Sequence, residues 1–311
     1  MRRYFERAPG GEPSPRQALV GIGDDCALLR PNAGLELAVT TDMLVEGRHF
    51  LPGADARGLG HKSLAVNLSD LAAMGAAPRF ALLCLGIPAA DEGWLEAFAE
   101  GLFALAKRYG VELVGGDTTR SPVRTIAITA IGEVPAGVAL FRGGARPGDD
   151  IWVSGELGAA SLALVRPEIA SASARLHTPE PRVELGERLR GLAHAAIDVS
   201  DGLAGDLNHI LERSRVGAVV DYAELPRPAG FRQLDDAQLE QDCVLSGGDD
   251  YELLFTAAAD RRSELAALAA ELSLPLTRIG TIQAGDPRLL VLDAQGRPMS
   301  YRRGFDHFAI P

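Results

Sequence analysis

A chain of 311 residues exceeds one ordinary core and fits two domains of about 150 residues each. Its composition, 47% hydrophobic and 23% charged, is that of a soluble, ordered globular protein. The net charge of −11 excludes a general binder of nucleic acid or of anionic membrane surfaces, which needs a basic field, but permits phosphate binding through intervening cations.

Residues 1–19 read as a polar arm with Pro9, Pro13 and Pro15, loose until Leu19 and lacking the apolar stretch of a signal peptide. No run approaches the ~18 apolar residues of a membrane span. Cys26, Cys84 and Cys243 are far apart, and Cys84 lies in an apolar run that reads as core. Disulfides are not expected, and the chain reads as cytoplasmic.

The first acidic turn is Gly21-Ile22-Gly23-Asp24-Asp25-Cys26-Ala27, where glycines let the backbone come close to a ligand; alone it reads equally as a plain Gly-Asp turn. Leu35–Thr41 alternates as a buried strand and delivers Thr40, Thr41 and Asp42 to its C-terminal end, with His49 one short loop later. Two hydroxyls and a carboxylate suit a hard cation; the bland alternative is two strand-forming threonines and a turn cap. Leu59, Leu64, Leu68 and Leu71 mark a helix over 57–74. Within it, Asp70 sits among small apolar residues and needs a partner, a metal or solvent. Gly58-Leu59-Gly60-His61-Lys62-Ser63 imitates the end of a phosphate-binding P-loop, but His61 separates glycine from lysine and no strand leads into it.

Arg79–Ile87 reads as a strand and Asp91–Tyr109 as an amphipathic helix with Trp94, Leu95, Phe98, Leu102 and Leu105 buried. A short strand, Val111–Val114, ends in a second oxygen-rich corner, Gly115-Gly116-Asp117-Thr118-Thr119-Arg120. Its glycines offer N–H groups to a phosphate and Asp117 a metal ligand. After a strand at 124–134, composition shifts to Gly and Pro, which places a domain boundary near residue 144. Arg142 there reads as a phosphate contact or as a solvated loop arginine.

The second half continues with a strand at 151–154, helices at 159–165 and 183–194, and an exposed connection over 166–182. A third acidic strand end carries Asp198, Ser200 and Asp201 into a helix over 202–213, whose N-terminus can face an anion. After a strand at 216–222 and a helix at 237–243 comes a fourth corner, Ser246-Gly247-Gly248-Asp249-Asp250-Tyr251, then a helix at 261–272 and two terminal strands.

Converging carboxylates would repel one another unless cations lay between them. Mg²⁺ suits such a set, because it takes few carboxylates and leaves coordination positions for water and phosphate oxygens. No Ser-His-Asp arrangement, cysteine nucleophile or HExxH zinc motif stands out, so no residue reads as nucleophile or general base. Phosphoryl transfer asks for alignment and charge neutralisation more than for such groups.

Taken in order, these motifs resemble the thiamine-monophosphate kinase family: 21–27, 40–50, 62–76, 115–120, 198–203 and 246–253. The resemblance runs from about Leu19 to Phe308. It implies an α/β (α+β) fold of two domains like that of aminoimidazole ribonucleotide synthetase, with 1–143 the ATP- and Mg-binding dimerisation domain and 144–311 the C-terminal domain. It implies ATP-dependent phosphorylation of thiamine monophosphate by a homodimer, with several Mg²⁺ ions. By likeness, Asp25, Thr40, Thr41, Asp42, Asp70, Asp117, Asp198 and Asp201 are metal ligands. Gly116, Asp117, Arg142 and Ser200 would meet the nucleotide, and His49, Asp249 and Phe305 the thiamine phosphate. The chain departs from the family in having Asp249 where members carry Glu.

Two alternatives stand beside this reading. One is a protein that binds thiamine phosphates or nucleotide without turnover. The other is a related ATP-using enzyme such as selenophosphate synthetase, which commonly uses an N-terminal cysteine or selenocysteine; this chain has Cys26 inside a motif instead.

Overall fold

The computed structural model describes residues 2–5, 17–234 and 236–302. The chain forms two compact units, Met1–Leu71 with Ala76–Val138, and Ala72–Gly75 with Ala139–Pro311. Among the described residues no helix is long and apolar enough to cross a membrane.

The first unit begins with α1 (Arg2–Phe5), whose Tyr4 and Phe5 are buried, so the start of the arm is anchored rather than loose. A four-stranded sheet follows in the order β1-β4-β2-β3: β1 (Leu35–Val45), β2 (Ala77–Ile87), β3 (Glu112–Arg120) and β4 (Thr125–Pro135). β4 runs antiparallel to both β1 and β2, and β3 parallel to β2. Leu83, Leu85, Ile126, Ile128 and Ala130 are buried on one face of this sheet.

Helices α2 (Ala56–Ala73) and α3 (Glu92–Tyr109) lie close to one another. A β-carbon at Gly60 would fall 2.0 Å from the Phe98 carbonyl oxygen, and one at Gly101 1.8 Å from that of Arg57. Gly60 is therefore a helix-crossing residue, which accounts for the P-loop imitation. α3 starts on an Asp91 side-chain cap to the Trp94 N–H and buries Leu95, Phe98, Leu102 and Leu105; Trp94 is only half-buried.

Two sequence expectations fail here for one reason. β1 does not stop at Thr41 but continues through Val45, and β3 does not stop at Val114 but carries Gly115–Arg120. In both, the oxygen-rich residues are themselves strand, fixed in register with neighbours: Asp42 opposite Ile128, Asp117 opposite Cys84. Main-chain pairing outweighs the turn preference of Asp and Gly. Cys84 departs too: it is exposed on the sheet's other face, not core.

The second unit is built on a six-stranded sheet in the order β10-β7-β9-β5-β8-β6. Its strands are β5 (Asp150–Ser154), β6 (Ala193–Val199), β7 (Gly217–Asp221), β8 (Glu252–Ala257), β9 (Leu276–Gln283) and β10 (Leu289–Leu292). The helices are α4 (Ala159–Val165), α5 (Ala170–His177), α6 (Val183–Leu189), α7 (Leu203–Ser214), α8 (Ala237–Ser246) and α9 (Arg262–Leu272). Ile197, Val199, Leu207, Ile210, Leu254 and Ile279 lie in its core.

The stretch 166–182, expected as exposed connection, contains α5, whose Ala172 and Leu176 are buried. The helix expected over 183–194 ends at Leu189, where a turn closed by the Leu192 N–H on the Leu189 carbonyl leads into β6. His194 is thus strand, and its Nδ1 lies 2.9 Å from the buried Asp149 carboxylate.

Candidate active site

In the first unit a cleft of about 1020 Å³ opens between the Gly23–Ala27 turn and the Gly115–Thr118 stretch of β3, with Phe5 in its wall. Gly116 has φ 138°, and a β-carbon on it would lie 1.9 Å from the Leu83 carbonyl oxygen. Only glycine lets β3 approach β2 so closely. The next residue, Asp117, is exposed in the cleft, its Oδ1 accepting from the Thr118 N–H at 2.8 Å. Asp24 and Asp25 line the same space, and its described lining includes no Lys, Arg or His. A polyphosphate entering this cleft meets carboxylates, with no cationic side chain among the described lining residues to offset them.

Thr40, Asp42 and Asp70 form a second group, not among the lining residues of that cleft. Strand alternation turns Thr40 and Asp42 toward α2, where the Thr40 hydroxyl donates to Asp70 Oδ2. The Asp42 N–H donates to Asn67 Oδ1 at 3.2 Å, and Asn67 Nδ2 to the Ser63 carbonyl at 3.1 Å. Asp70 thus has its partner. Thr41 points to the opposite face, 2.8 Å from Thr129 Oγ1, so its hydroxyl does not join Thr40 and Asp42. His49 Nδ1 accepts from the Val45 N–H at 3.1 Å. In the neutral ring this puts the proton on Nε2.

The second unit gathers Arg142, Ser200 and Asp201 around a residue that sequence reasoning missed, Asp206 on the first turn of α7. Asp206 Oδ2 accepts from the N–H groups of Ser200 and Asp201, both at 3.1 Å. Burial pushes its carboxyl up to about 7, the Asp201 charge adds to this, and the two N–H bonds and the Arg142 charge oppose it. The available signal was a carboxylate four residues after the Asp198–Gly202 turn, where it can reach back to main-chain N–H groups. Segment 141–145 is held beside it: the Ala196 N–H donates to the Phe141 carbonyl at 2.9 Å, and the Gly144 and Ala145 N–H groups to Ser214 Oγ, each at 3.1 Å. Asp198 is buried in β6.

The fourth corner lies against the third. The Asp249 N–H donates to the Ser200 carbonyl and the Tyr251 N–H to the Val199 carbonyl, both at 2.8 Å. Asp250 turns inward, and its Oδ2 accepts from the Gly158 N–H at 2.7 Å ahead of α4. Burial raises its carboxyl to about 8, with the Glu252 and Asp249 charges reinforcing the shift. Phe305 lies outside the described residues. Among the described residues no three His, Cys, Asp or Glu side chains gather closely enough to hold a metal ion by themselves.

Comparison with known proteins decides what these corners belong to. Residues 23–134 match the N-terminal domain model of AIR synthase related proteins, and 146–291 the C-terminal domain model. Thiamine-monophosphate kinase of Salmonella typhimurium is 46% identical over 323 aligned positions, spanning 100% of this chain and 98% of that protein. The chain belongs to the thiamine-monophosphate kinase family.

Solved members of the family agree in fold. A crystal structure of thiamine-monophosphate kinase from Stenotrophomonas maltophilia K279a superposes with TM-score 0.85 at 49% identity, covering 92% of this chain and 93% of that one. AaThiL complexed with AMPPCP and TMP superposes with TM-score 0.78 at 31% identity, covering 90% and 89%. The expected two-domain AIR synthase fold is therefore the fold of this kinase family member.

Proposed function

We propose that the chain transfers the γ-phosphoryl group of ATP to thiamine monophosphate, giving thiamine diphosphate and ADP. The observation that carries this is the first-unit cleft, where Asp24 and Asp25 share the lining with Asp117 of the glycine-supported β3 and no basic residue is among the described lining. Such a cleft suits a nucleotide that arrives with cations. Kinship with a protein whose solved complex holds AMPPCP and TMP supports the same assignment.

The chemistry asks for no nucleophilic side chain. The acceptor's phosphate has a second pKa of about 6, so its attacking oxygen is largely anionic at neutral pH. That oxygen bonds to the γ-phosphorus as the bond to the β–γ bridging oxygen breaks and leaves with ADP, without a phosphoenzyme. The protein's contribution is to hold two anions in line and exclude competing geometries.

The donor set fits Mg²⁺, which takes hard oxygens and only one or two carboxylates per ion beside phosphate and water. Asp25, Thr40, Thr41, Asp42, Asp70, Asp117, Asp198 and Asp201 are the proposed ligands, Thr41 through its main chain because its hydroxyl faces away. Bound Mg²⁺ would neutralise the phosphate oxygens. Gly116, Asp117, Arg142 and Ser200 are assigned to the nucleotide, and His49, Asp249 and Phe305 to the acceptor.

We further propose a homodimer in the cytoplasm. Leu37, Val39 and Met43 on β1 are 45%, 62% and 56% exposed, an apolar stripe on an edge strand that a second copy would cover. The deciding assay incubates Mg-ATP with thiamine monophosphate, and separately with thiamine, and identifies products by mass. Thiamine diphosphate formed only from the monophosphate is the expected result. Binding without ADP release would favour the non-catalytic alternative.

A further inference from the structure

Asp249 and Tyr251 both have positive φ, 69° and 52°. Aspartate tolerates that region, but a bulky ring there is an outlier that persists only where the surroundings over-determine it. The two main-chain bonds to Val199 and Ser200 supply that determination. With the backbone left-handed twice in three residues, the Tyr251 side chain folds back along its own loop. It is 8% exposed, and its hydroxyl donates to Asp249 Oδ1 at 2.9 Å. Asp250 between them is turned the other way, into the α4 start.

We infer that Tyr251 is a positioning residue that aims the half-buried Asp249 carboxylate at the cationic part of the acceptor. This rests on the proposed contact between Asp249 and thiamine monophosphate. The acceptor has two poles: a phosphate, which a bare carboxylate repels, and a thiazolium ring with a fixed positive charge beside an aminopyrimidine bearing N–H donors. A carboxylate serves the second pole. A phenol on one oxygen restricts the carboxylate's rotamer, so less ordering is lost on binding.

The test is steady-state kinetics on the full chain with Mg-ATP and thiamine monophosphate. Tyr251→Phe keeps the ring and removes the hydroxyl. Its KM for thiamine monophosphate should rise about tenfold, with kcat and the KM for ATP changed by less than about twofold. Asp249→Asn, which keeps a residue tolerant of positive φ, should raise the same KM at least as much. Adding Tyr251→Phe to Asp249→Asn should then change nothing further, because the tyrosine acts through the charge that is gone.

A further rise in the double variant would overturn the role, as would a lowered thermal midpoint and kcat with KM unmoved; either makes Tyr251 a brace for the loop. Asp249→Asn with KM unchanged and turnover intact removes the acceptor contact and this role with it. A wild-type chain that forms no thiamine diphosphate sinks the kinase reading itself, a failure told apart because it precedes any substitution.

Discussion

A β-carbon at Gly248 would lie 2.4 Å from the carbonyl oxygen of Ser200, so the two acidic turns of the second unit touch backbone to backbone. The obstructing atom is main chain and cannot swing aside. Gly248→Ala should therefore push the Ser200–Asp201 turn from its place, at a cost of about 1–3 kcal/mol in stability. A lower thermal midpoint together with reduced turnover is the expected outcome. An unchanged midpoint would mean that the turns separate freely.

The hydroxyl of Thr40 on the Asp70 carboxylate fixes how that carboxylate is presented. If Asp70 holds Mg²⁺, Thr40→Val should raise the half-saturating Mg²⁺ concentration about 10–100-fold, while Thr40→Ser stays near the parent. Asp117→Asn should cut kcat by about 10²-fold or more with the fold retained, as circular dichroism would report. Near-normal turnover in Asp117→Asn would remove it from the metal set.

Asp250 gives a pH dependence of stability with a definite sign. Its carboxyl rises from 3.8 to about 8 in the fold, because burial disfavours the charged form. Between those values the folded chain keeps a proton that the unfolded chain has lost, so stability falls as pH rises through this window. The favourable contribution is complete below about pH 4 and gone above about pH 8. Asp250→Asn should match the parent at low pH and exceed it in thermal midpoint near pH 8. A difference that stays flat across that range would contradict the buried, protonated carboxyl.

The fold was largely legible where one periodicity dominates. Leu59, Leu64, Leu68 and Leu71 mark α2, and Asp91 with the apolar face behind it marks α3, because helical spacing and a side-chain cap are local properties. The ends of β1 and β3 were not legible, since Asp42 and Gly116 are held in strands by partners about 86 and 33 residues away in sequence, Ile128 and Leu83. The opposite facing of Thr40 and Thr41 was by contrast legible, because neighbours in an alternating strand open onto opposite sides of the sheet, and grouping both hydroxyls about one cation set that rule aside. The acidic motifs identified the family. Asp206 left a signal in its spacing after the Asp198–Gly202 turn, whereas the contact of Tyr251 with Asp249 depends on two left-handed backbone residues that no local pattern announces.

The outer face of β1 yields a prediction about assembly. Val39→Lys places a charge in the middle of the exposed Leu37–Met43 stripe without touching the Thr40 side. Sedimentation should show a shift from dimer to monomer at micromolar concentration. A parent chain that is already monomeric at that concentration would remove the dimer.

Because the Gly115–Thr118 stretch is strand rather than loop, the cleft obeys a parity rule. Val114 is already an extra residue between the paired Leu113 and Gly115, but from Gly115 onward β3 pairs one for one with β2. A single residue inserted between Gly115 and Asp117 would therefore exchange the faces on which Asp117 and Thr118 emerge, whereas two would restore them. Length variation in this chain's lineage should accordingly be excluded from β3 beyond Gly115 and confined to places such as the turn at 284–287, where no register has to be kept.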